Sequence, residues 1–317
     1  MVPFAALGGR RLLLAALVAA TFAWAVPASA DEGGAAISSV LAAQPLGPTT
    51  YLIAGAATEG APVANGGFVV TATSVVVVGA PESAEDASRW LEAIRAVTPK
   101  PVSHVLLTGA DAARAGGVAA LKANGAAVVA RRLSVPPSAP AATGDAAGPP
   151  HTVDLAASRI AADLWLEDST DLLFGGVHLL ALALEPVHGP HDMAYVVPDD
   201  GVLFAGDLLV TGRLPDVRDA DAGRWLEALG QLQQQGAGIA VPSHGPVSRS
   251  PQEDFERARD YLSLLRGAMV DAARNGTPFD EAYARGDWGR YAELPMFDAV
   301  NRANARHTYL QAQGTPP

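Results

Sequence analysis

Short apolar runs rich in β-branched residues alternate with segments of helical period along the chain. Runs of this kind predict strands, whereas an apolar residue at every third or fourth position predicts an amphipathic helix. The predicted strands of the first half are Tyr51–Ala54, Gly67–Thr71, Ser74–Gly79, Val102–Thr108 and Ala126–Arg131. Helices are predicted after the capping residue Ser83 and in the segment that ends near Asn124.

The second half of the chain continues this alternation. Its predicted strands are a pair interrupted by Gly-Gly within Leu172–Leu184, followed by Met193–Val197, Val202–Ala205 and Ile239–Val241. Helices are predicted over Ala222–Gln234, from Ser250 onward and over Pro295–Ala312. Strands interleaved with helices are typical of α/β proteins. We therefore predict an αββα sandwich, in which two mixed β-sheets are flanked by helices.

The N-terminal segment differs from the rest in composition. Arg10 and Arg11 precede an apolar run that ends in Ala28-Ser29-Ala30, which is the order of a secretory signal cleaved near Ala30. The paired arginines are compatible with Sec or twin-arginine export. The run is too short for a stable membrane anchor, since a spanning helix needs ~20 apolar residues. These features predict a signal peptide over residues 1–30 and a periplasmic or secreted protein.

The remaining chain is predicted to form one domain. Residues 31–45 are small and polar and are expected to be a flexible lead-in, and residues 46–315 are expected to form the single domain. Within it, residues 134–150 are rich in Pro, Ala and Gly and lack an apolar period, which favours a surface loop.

Charge and cysteine content narrow the classes of partner. The net charge of −11 becomes more negative when the two arginines of the signal are removed, which argues against nucleic acid and anionic membranes as partners. The chain has no cysteine. Any metal ion would therefore be held by nitrogen and oxygen ligands.

Four clusters of polar residues follow predicted strands. They contain Asp111 and Arg114, then His188 and His191 in EPVHGPHDM, Asp207 in LFAGDLL, and His244 in VPSHGP. Loops at one edge of a sheet converge, and histidine with carboxylate suits a divalent transition metal. Each cluster also has an ordinary structural interpretation: Asp111, for example, is equally suited to cap the helix that follows it.

The order of these clusters resembles the metallo-β-lactamase superfamily from about Ala42 to Gln311. The resemblance is most specific in MAYVVPDDGVLFAGDLLVTGRLPD and AVPSHGP, and is strongest to exported metallohydrolases associated with sulfur-oxidation and quinoprotein-relay systems. It implies the αββα fold and hydrolysis by a zinc-bound hydroxide. His188, Asp207 and His244 match family ligand positions, Asp207 being the carboxylate that bridges two metals. His191 is an alternative match for the role of His188.

The family signature Thr-His-x-His-x-Asp-His-x-Gly-Gly is altered in this chain. Thr108, Gly116 and Gly117 are retained, but the four ligand positions are Gly109, Asp111, Ala113 and Arg114. Arginine stays protonated and cannot bind a metal. Its charge would also oppose a neighbouring cation by about 4 kcal/mol at 4 Å and an effective dielectric near 20. The sequence therefore predicts at most one metal ion.

Three states of the site remain open at this point. In the first, Arg114 replaces the metal by pairing with Asp207, and also with Asp111. In the second, one zinc or iron ion is held by Asp111, His188, Asp207 and His244, with Asp207 as the catalytic residue that orients water. In the third there is neither a metal nor an organised ion pair.

These states predict different classes of protein. The first predicts a non-catalytic or accessory protein that binds a small anion, and the second predicts a metal-dependent hydrolase of an ester, thioester or lactam-like bond. The expected partner is a small-molecule ligand or substrate, and the resemblance adds other exported redox-system proteins.

Overall fold

The computed structural model describes residues 41–55, 57–58, 61–62, 64–109, 115–132, 162–189 and 191–314. The strands are β1 Ala43–Pro45, β2 Thr50–Ile53, β3 Ala57–Thr58, β4 Ala61–Pro62, β5 Gly66–Val70, β6 Val75–Val78, β7 Val102–Leu106, β8 Ala127–Arg131, β9 Leu164–Leu166, β10 Thr170–Phe174, β11 Val177–Ala183, β12 Met193–Val197, β13 Val202–Val210 and β14 Ile239–His244. The helices are α1 Ala84–Val97, α2 Ala115–Ala123, α3 Ala222–Gln233, α4 Pro251–Arg274, α5 Phe279–Arg285 and α6 Phe297–Ala312, with short 3-10 turns at Pro198–Asp200 and Gly289–Tyr291.

Two mixed sheets form the centre of the fold. The first has the order β1-β2-β5-β6-β7-β8-β9 and the second the order β10-β11-β12-β13-β14, while β3 and β4 form a separate hairpin. In the first sheet β6, β7, β8 and β9 are parallel, and in the second only β13 and β14 are. The predicted hairpin of β5 and β6 is confirmed, with Val70 opposite Val75.

Strand β6 shows how the layers are built. Val75 and Val77 belong to a cluster that contains Trp90 of α1, whereas Val76 and Val78 belong to the cluster between the sheets. A strand covered on both faces has an uninterrupted apolar sequence, which explains the VVVV run. A third cluster joins the outer face of the second sheet to α3, α4 and α6. The predicted αββα sandwich is confirmed.

Two strands that carry candidate site residues are longer than predicted. The sequence places the end of β13 at Ala205, but the strand continues to Val210. Gly206 has φ +59° and shifts the register between β13 and β14 without ending the strand. Strand β14 likewise extends beyond Val241 to His244. Asp207 therefore lies within a strand, which corrects its predicted position after a strand end.

Several further elements escape the sequence prediction, among them the short hairpin strands β3 and β4. Ala43–Pro45 of the predicted lead-in is β1, because its backbone pairs with Tyr51–Ile53 of β2. Strand β9 and helix α5 are too short for a reliable apolar period. The signal peptide, the cleavage site near Ala30, residues 31–40 and loop 134–150 lie outside the described residues. In the part of the chain that is described, no helix is long and apolar enough to cross a membrane.

Candidate functional site

The bulge in β13 brings the two sheets together beside Asp207. A Cβ atom at Gly206 would lie 2.8 Å from Cβ of Thr108, so only glycine permits this approach of the two backbones. The carbonyl oxygen of Thr108 accepts a hydrogen bond of 3.0 Å from Met193 N–H at the start of β12. The end of the β7 segment is thereby joined to the second sheet next to Asp207.

Gly109 faces the carboxylate of Asp207. A Cβ atom at this position would lie 3.9 Å from Asp207 Oδ2, and no other heavy atom among the described residues would be within 4 Å of it. The sequence position at which the family signature has its first histidine thus reaches the carboxylate. In this chain it provides no side chain there.

The side chains of Asp207 and His244 lie close to each other in the site. His244 Nε2 lies 3.8 Å from Asp207 Oδ1, and the two side chains are 25 % and 34 % exposed. This separation exceeds a hydrogen bond. Two donor atoms that bind one zinc ion at ~2.0–2.2 Å are separated by less than ~4.4 Å, so the distance is compatible with a shared cation.

Asn65 fixes the backbone that carries His244. Its amide Nδ2 donates to the carbonyl oxygens of Pro242 at 3.0 Å and Gly245 at 2.8 Å. Its own N–H donates to Ser243 O at 2.7 Å. The residue lies just before β5, in the first sheet, so the position of His244 depends on both sheets. Asn65 was not among the residues predicted from the sequence, although an asparagine beside a predicted strand often makes such hydrogen bonds to the backbone.

The loop that carries His188 is organised by Asp192. The buried Asp192 Oδ2 accepts hydrogen bonds from the backbone N–H groups of Val187, His188 and Gly189, at 2.8, 2.8 and 3.2 Å. Three converging donors satisfy a buried carboxylate and shape the backbone around it. Asp192 therefore has a structural role in positioning His188.

The ring of His188 packs edge-on against Trp225 of α3. Their centroids are 4.6 Å apart, with an interplanar angle of 75°. Trp225 Nε1 donates to Leu208 O, 2.7 Å away and one residue after Asp207. His188 Nδ1 is buried, and it has no hydrogen-bond partner among the described residues. Trp225 therefore links the His188 loop to the Asp207 strand.

Arg131 is a further residue that sequence reasoning missed. It is 6 % exposed, and its Nη1 donates to Asp192 O at 3.0 Å and to Leu184 O. Burial lowers its pKa from the ordinary value, and the neighbouring charges of Asp192 and Glu185 counteract this shift. Because these carbonyl groups flank the His188 loop, Arg131 anchors both ends of that loop. An arginine at the end of a predicted strand was its only sequence signal.

His191, the alternative ligand, contacts the same arginine. Its Nδ1 donates to Arg131 O at 2.7 Å. This hydrogen bond joins the His188 loop to the end of β8. It uses Nδ1, so Nε2 is the ring nitrogen that could bind another group.

The remaining candidates fall outside the described part of the chain. Asp111, Ala113 and Arg114 belong to residues 110–114, so the ion pair of Arg114 with Asp207 stays a prediction. Among the residues that are described, no three His, Asp or Glu side chains lie close enough to hold a metal ion together. The structure thus brings Asp207 and His244 together and does not add His188 as a third ligand.

The sequence comparison identifies the family. A model of the metallo-β-lactamase superfamily matches residues 60–244, which is more than half of the chain and ends at His244. The chain belongs to the metallo-β-lactamase superfamily. The matched segment contains Gly109, His188 and Asp207 as well, so each described candidate lies within the family domain.

Solved structures of the family have the same fold. A metallo-β-lactamase from Pontibacter korlensis is 21% identical with a TM-score of 0.56, over 70% of this chain and 98% of that one. Metallo-β-lactamase IND-7 is 16% identical with a TM-score of 0.56, over 70% and 97%. FIM-1 from Pseudomonas aeruginosa, in a mono-zinc form, is 22% identical with a TM-score of 0.51, over 68% and 91%.

One curated protein matches over a short stretch. The human Transcriptional activator MN1 is 37% identical over 103 residues, which is 28% of this chain and 8% of that protein. The chain therefore spans less than a tenth of the length of this relative, and the match carries no argument about function.

Family membership allows the described ligands to be compared with what a metal requires. Catalytic zinc sites use three protein ligands and structural ones use four. The described residues supply two that face each other, Asp207 and His244, and Gly109 supplies none. Among the described residues, the site therefore has two of the three protein ligands that a catalytic zinc ion requires.

Proposed function

We propose that the protein is an exported member of the superfamily that binds a small anion beside Asp207 and His244 and does not carry out two-metal hydrolysis. One observation carries this proposal: the Asp207 carboxylate faces Gly109, where the family signature has a histidine. A superfamily hydrolase with an eroded ligand loop has lost the means to hold its first metal ion.

In this proposal, the guanidinium of Arg114 provides the positive charge that a metal ion would otherwise supply. A carboxylate in a site built for cations is stabilised by a positive partner, because an opposite charge within ~4–6 Å favours its ionised form. A guanidinium provides that charge permanently and pairs with carboxylates through two parallel hydrogen bonds. Together with His188 on its loop and His244 at the end of β14, it also gives the site donors for a small anion. The resemblance to exported sulfur-oxidation and quinoprotein-relay proteins supports an accessory role among exported redox-system proteins.

The experiment uses the protein lacking residues 1–30, expressed and purified without chelator. We expect far less than one equivalent of zinc or iron by mass spectrometry of the metals. Inorganic phosphate, as a probe anion, should shift the NMR signals of His188 and His244. Arg114→Gln should abolish these shifts, while Arg89→Gln, an exposed arginine on α1 paired with Glu85, should leave them unchanged.

A mononuclear hydrolase is the second candidate. The separation of 3.8 Å between Asp207 Oδ1 and His244 Nε2 favours it, because both atoms could bind one ion. Asp111 and His188 would complete its ligands, and the ion would supply an activated water. About one equivalent of metal, together with ester, thioester or lactam hydrolysis that Asp207→Asn removes, would replace the first proposal with this one.

Export is proposed from the N-terminal sequence. The test is expression of the full chain in a Gram-negative host, followed by cell fractionation and N-terminal sequencing. A periplasmic product that begins near Asp31 supports the proposal. Replacing both Arg10 and Arg11 by lysine should block export only if the twin-arginine route is used.

A further inference from the structure

A cavity lies between β13, α4 and the 3-10 turn that follows α5. Its volume is about 90 Å³. Val210, Leu214, Tyr261 and Leu294 give it apolar walls. These walls suit the hydrocarbon part of a small ligand.

The cavity is close to the candidate site in the fold but separate from it. Val210 lines it and is the register partner of His244 in the parallel pairing of β13 with β14. Gly212, also in its wall, approaches the residues after His244: a Cβ at this position would lie 3.1 Å from Pro246 Cδ. None of Asp207, His188 and His244 lines it.

Arg213 gives the cavity a net positive charge. Its side chain is half-buried, and no ion pair or hydrogen bond of this arginine occurs within the described ranges. The other two charged residues of the wall neutralise each other, because Arg257 Nη1 lies 2.7 Å from Asp254 Oδ1. In a protein of net charge −11, a half-buried arginine without a partner indicates a place for an anion.

Tyr291 adds a polar group that the protein itself does not use. The residue is 4 % exposed and lines the cavity, and its hydroxyl oxygen is buried without a hydrogen-bond partner in the part of the chain that is described. Buried polar groups in native proteins are nearly always satisfied, so an unsatisfied hydroxyl needs an explanation. Burial raises the pKa of Tyr291, which keeps the hydroxyl protonated as a donor at neutral pH.

The surrounding walls are held in place by hydrogen bonds. Leu214 N–H donates to Pro295 O at 3.0 Å, and Tyr261 Oη donates to Asn301 Oδ1 at 3.1 Å. The ring of Tyr291 packs edge-on against Tyr261 with centroids 5.1 Å apart. A cavity with fixed walls loses little entropy when a ligand binds.

We propose that this cavity binds a short aliphatic carboxylate, with Arg213 pairing with the carboxylate and the Tyr291 hydroxyl donating to it. The apolar walls enclose the short hydrocarbon chain. This site goes beyond the function proposed above, because it requires neither a metal ion nor Arg114. It is compatible with either function proposed for the site of Asp207 and His244.

The test is titration of the protein with ¹³C-labelled propionate, followed by NMR. Wild-type protein should bind propionate and discriminate against propionamide, which has the same shape without the charge. Arg213→Gln should weaken binding by about 10-fold or more, the value of a hydrogen bond to a charged group. Arg218→Gln is the matched control, because Arg218 is an exposed arginine of the same loop paired with Asp216.

Tyr291→Phe separates a binding role from a structural one. Removing a hydroxyl without a partner should leave the melting temperature unchanged or raise it. Propionate binding should nevertheless weaken several-fold. A loss of binding without a loss of stability is not expected from a residue that only packs.

Several results would overturn the inference. Equal binding by the wild type and Arg213→Gln would do so, as would equal binding of propionate and propionamide, or no binding at about 50 mM, beyond the weak end of specific affinity. Binding that is lost in His244→Ala and retained in Arg213→Gln would place the anion beside Asp207 and His244. That outcome would support the proposed function and reject the cavity.

Discussion

A Cβ atom at Gly109 would lie 3.9 Å from the Asp207 carboxylate, and no other heavy atom in the described part of the chain would be within 4 Å of it. A side chain can therefore be added at this position without displacing its described neighbours. In the superfamily signature this position is a histidine, so the site can be extended by a single substitution.

Gly109→His is expected to increase zinc affinity, because it adds a third nitrogen or oxygen ligand to Asp207 and His244. The gain should be at least the ~10–100-fold that even outer-shell partners of metal ligands provide. The measurement is zinc titration against a competing chelator. Gly109→Leu is the control of similar size without a donor, and equal affinity of the two variants would show that residue 109 does not reach the metal position.

Gly117→Ala should destabilise the protein by about 2 kcal/mol, the cost of overpacking a tight contact. The added Cβ would lie 1.9 Å from Pro81 O, so the backbone must move. Gly116→Ala is the matched control, since its nearest contact would be 3.4 Å away. Urea unfolding of both variants tests this explanation of the Gly-Gly pair, and similar losses in the two would contradict it.

Asp192→Ala should reduce the free energy of unfolding by about 3 kcal/mol, because it leaves the buried N–H groups of the His188 loop without an acceptor. Guanidinium unfolding measures the loss. The exposed Asp199, replaced by alanine, should change stability by less than ~0.5 kcal/mol. If Asp192→Ala were as stable as the wild type, the loop would not depend on this carboxylate.

Two histidines should make the protein less stable in mild acid. Burial lowers the pKa of His307 and of His104 below the ordinary value of 6.5. The unfolded chain therefore takes up protons first as the pH falls, so their contribution to stability is complete above 6.5 and is lost below it.

Melting temperatures at about pH 7.5 and pH 5.5 test this dependence within the window where the unfolded histidines titrate. His307→Gln should reduce the difference between the two temperatures. A wild-type protein that melts at a higher temperature at the lower pH would contradict the assignment.

Much of the fold is predictable from the apolar pattern. The runs that become β5, β6 and β12 are buried on both faces, and the Ser83 hydroxyl caps α1 by accepting from Asp86 N–H at 3.0 Å. In these elements, the local sequence preference and the burial of the side chains indicate the same secondary structure. The end of β13 is different, since a glycine followed by an acid usually indicates a turn, and only the parallel pairing with β14 continues the strand through it.

Of the predicted site residues, the structure brings Asp207 and His244 within 3.8 Å of each other, whereas the residues that support them were not predictable from the sequence. His188, Asp207 and His244 follow from the family pattern. Asn65 and Arg131 do not, because each acts through backbone carbonyl groups that are distant in sequence. Asn301 also lacked an interpretation in the sequence; its Nδ2 donates to Tyr283 Oη at 2.9 Å and joins α6 to α5.

The hydrogen bond from Asn65 to Gly245 spans 180 positions of the chain. A contact of such long range forms only after most of the intervening polypeptide has been ordered, and contacts of this kind slow folding. On a ribosome Asn65 must therefore wait for the turn after His244, which is synthesised 180 positions later. The ability to bind at this edge should appear among the last events of maturation.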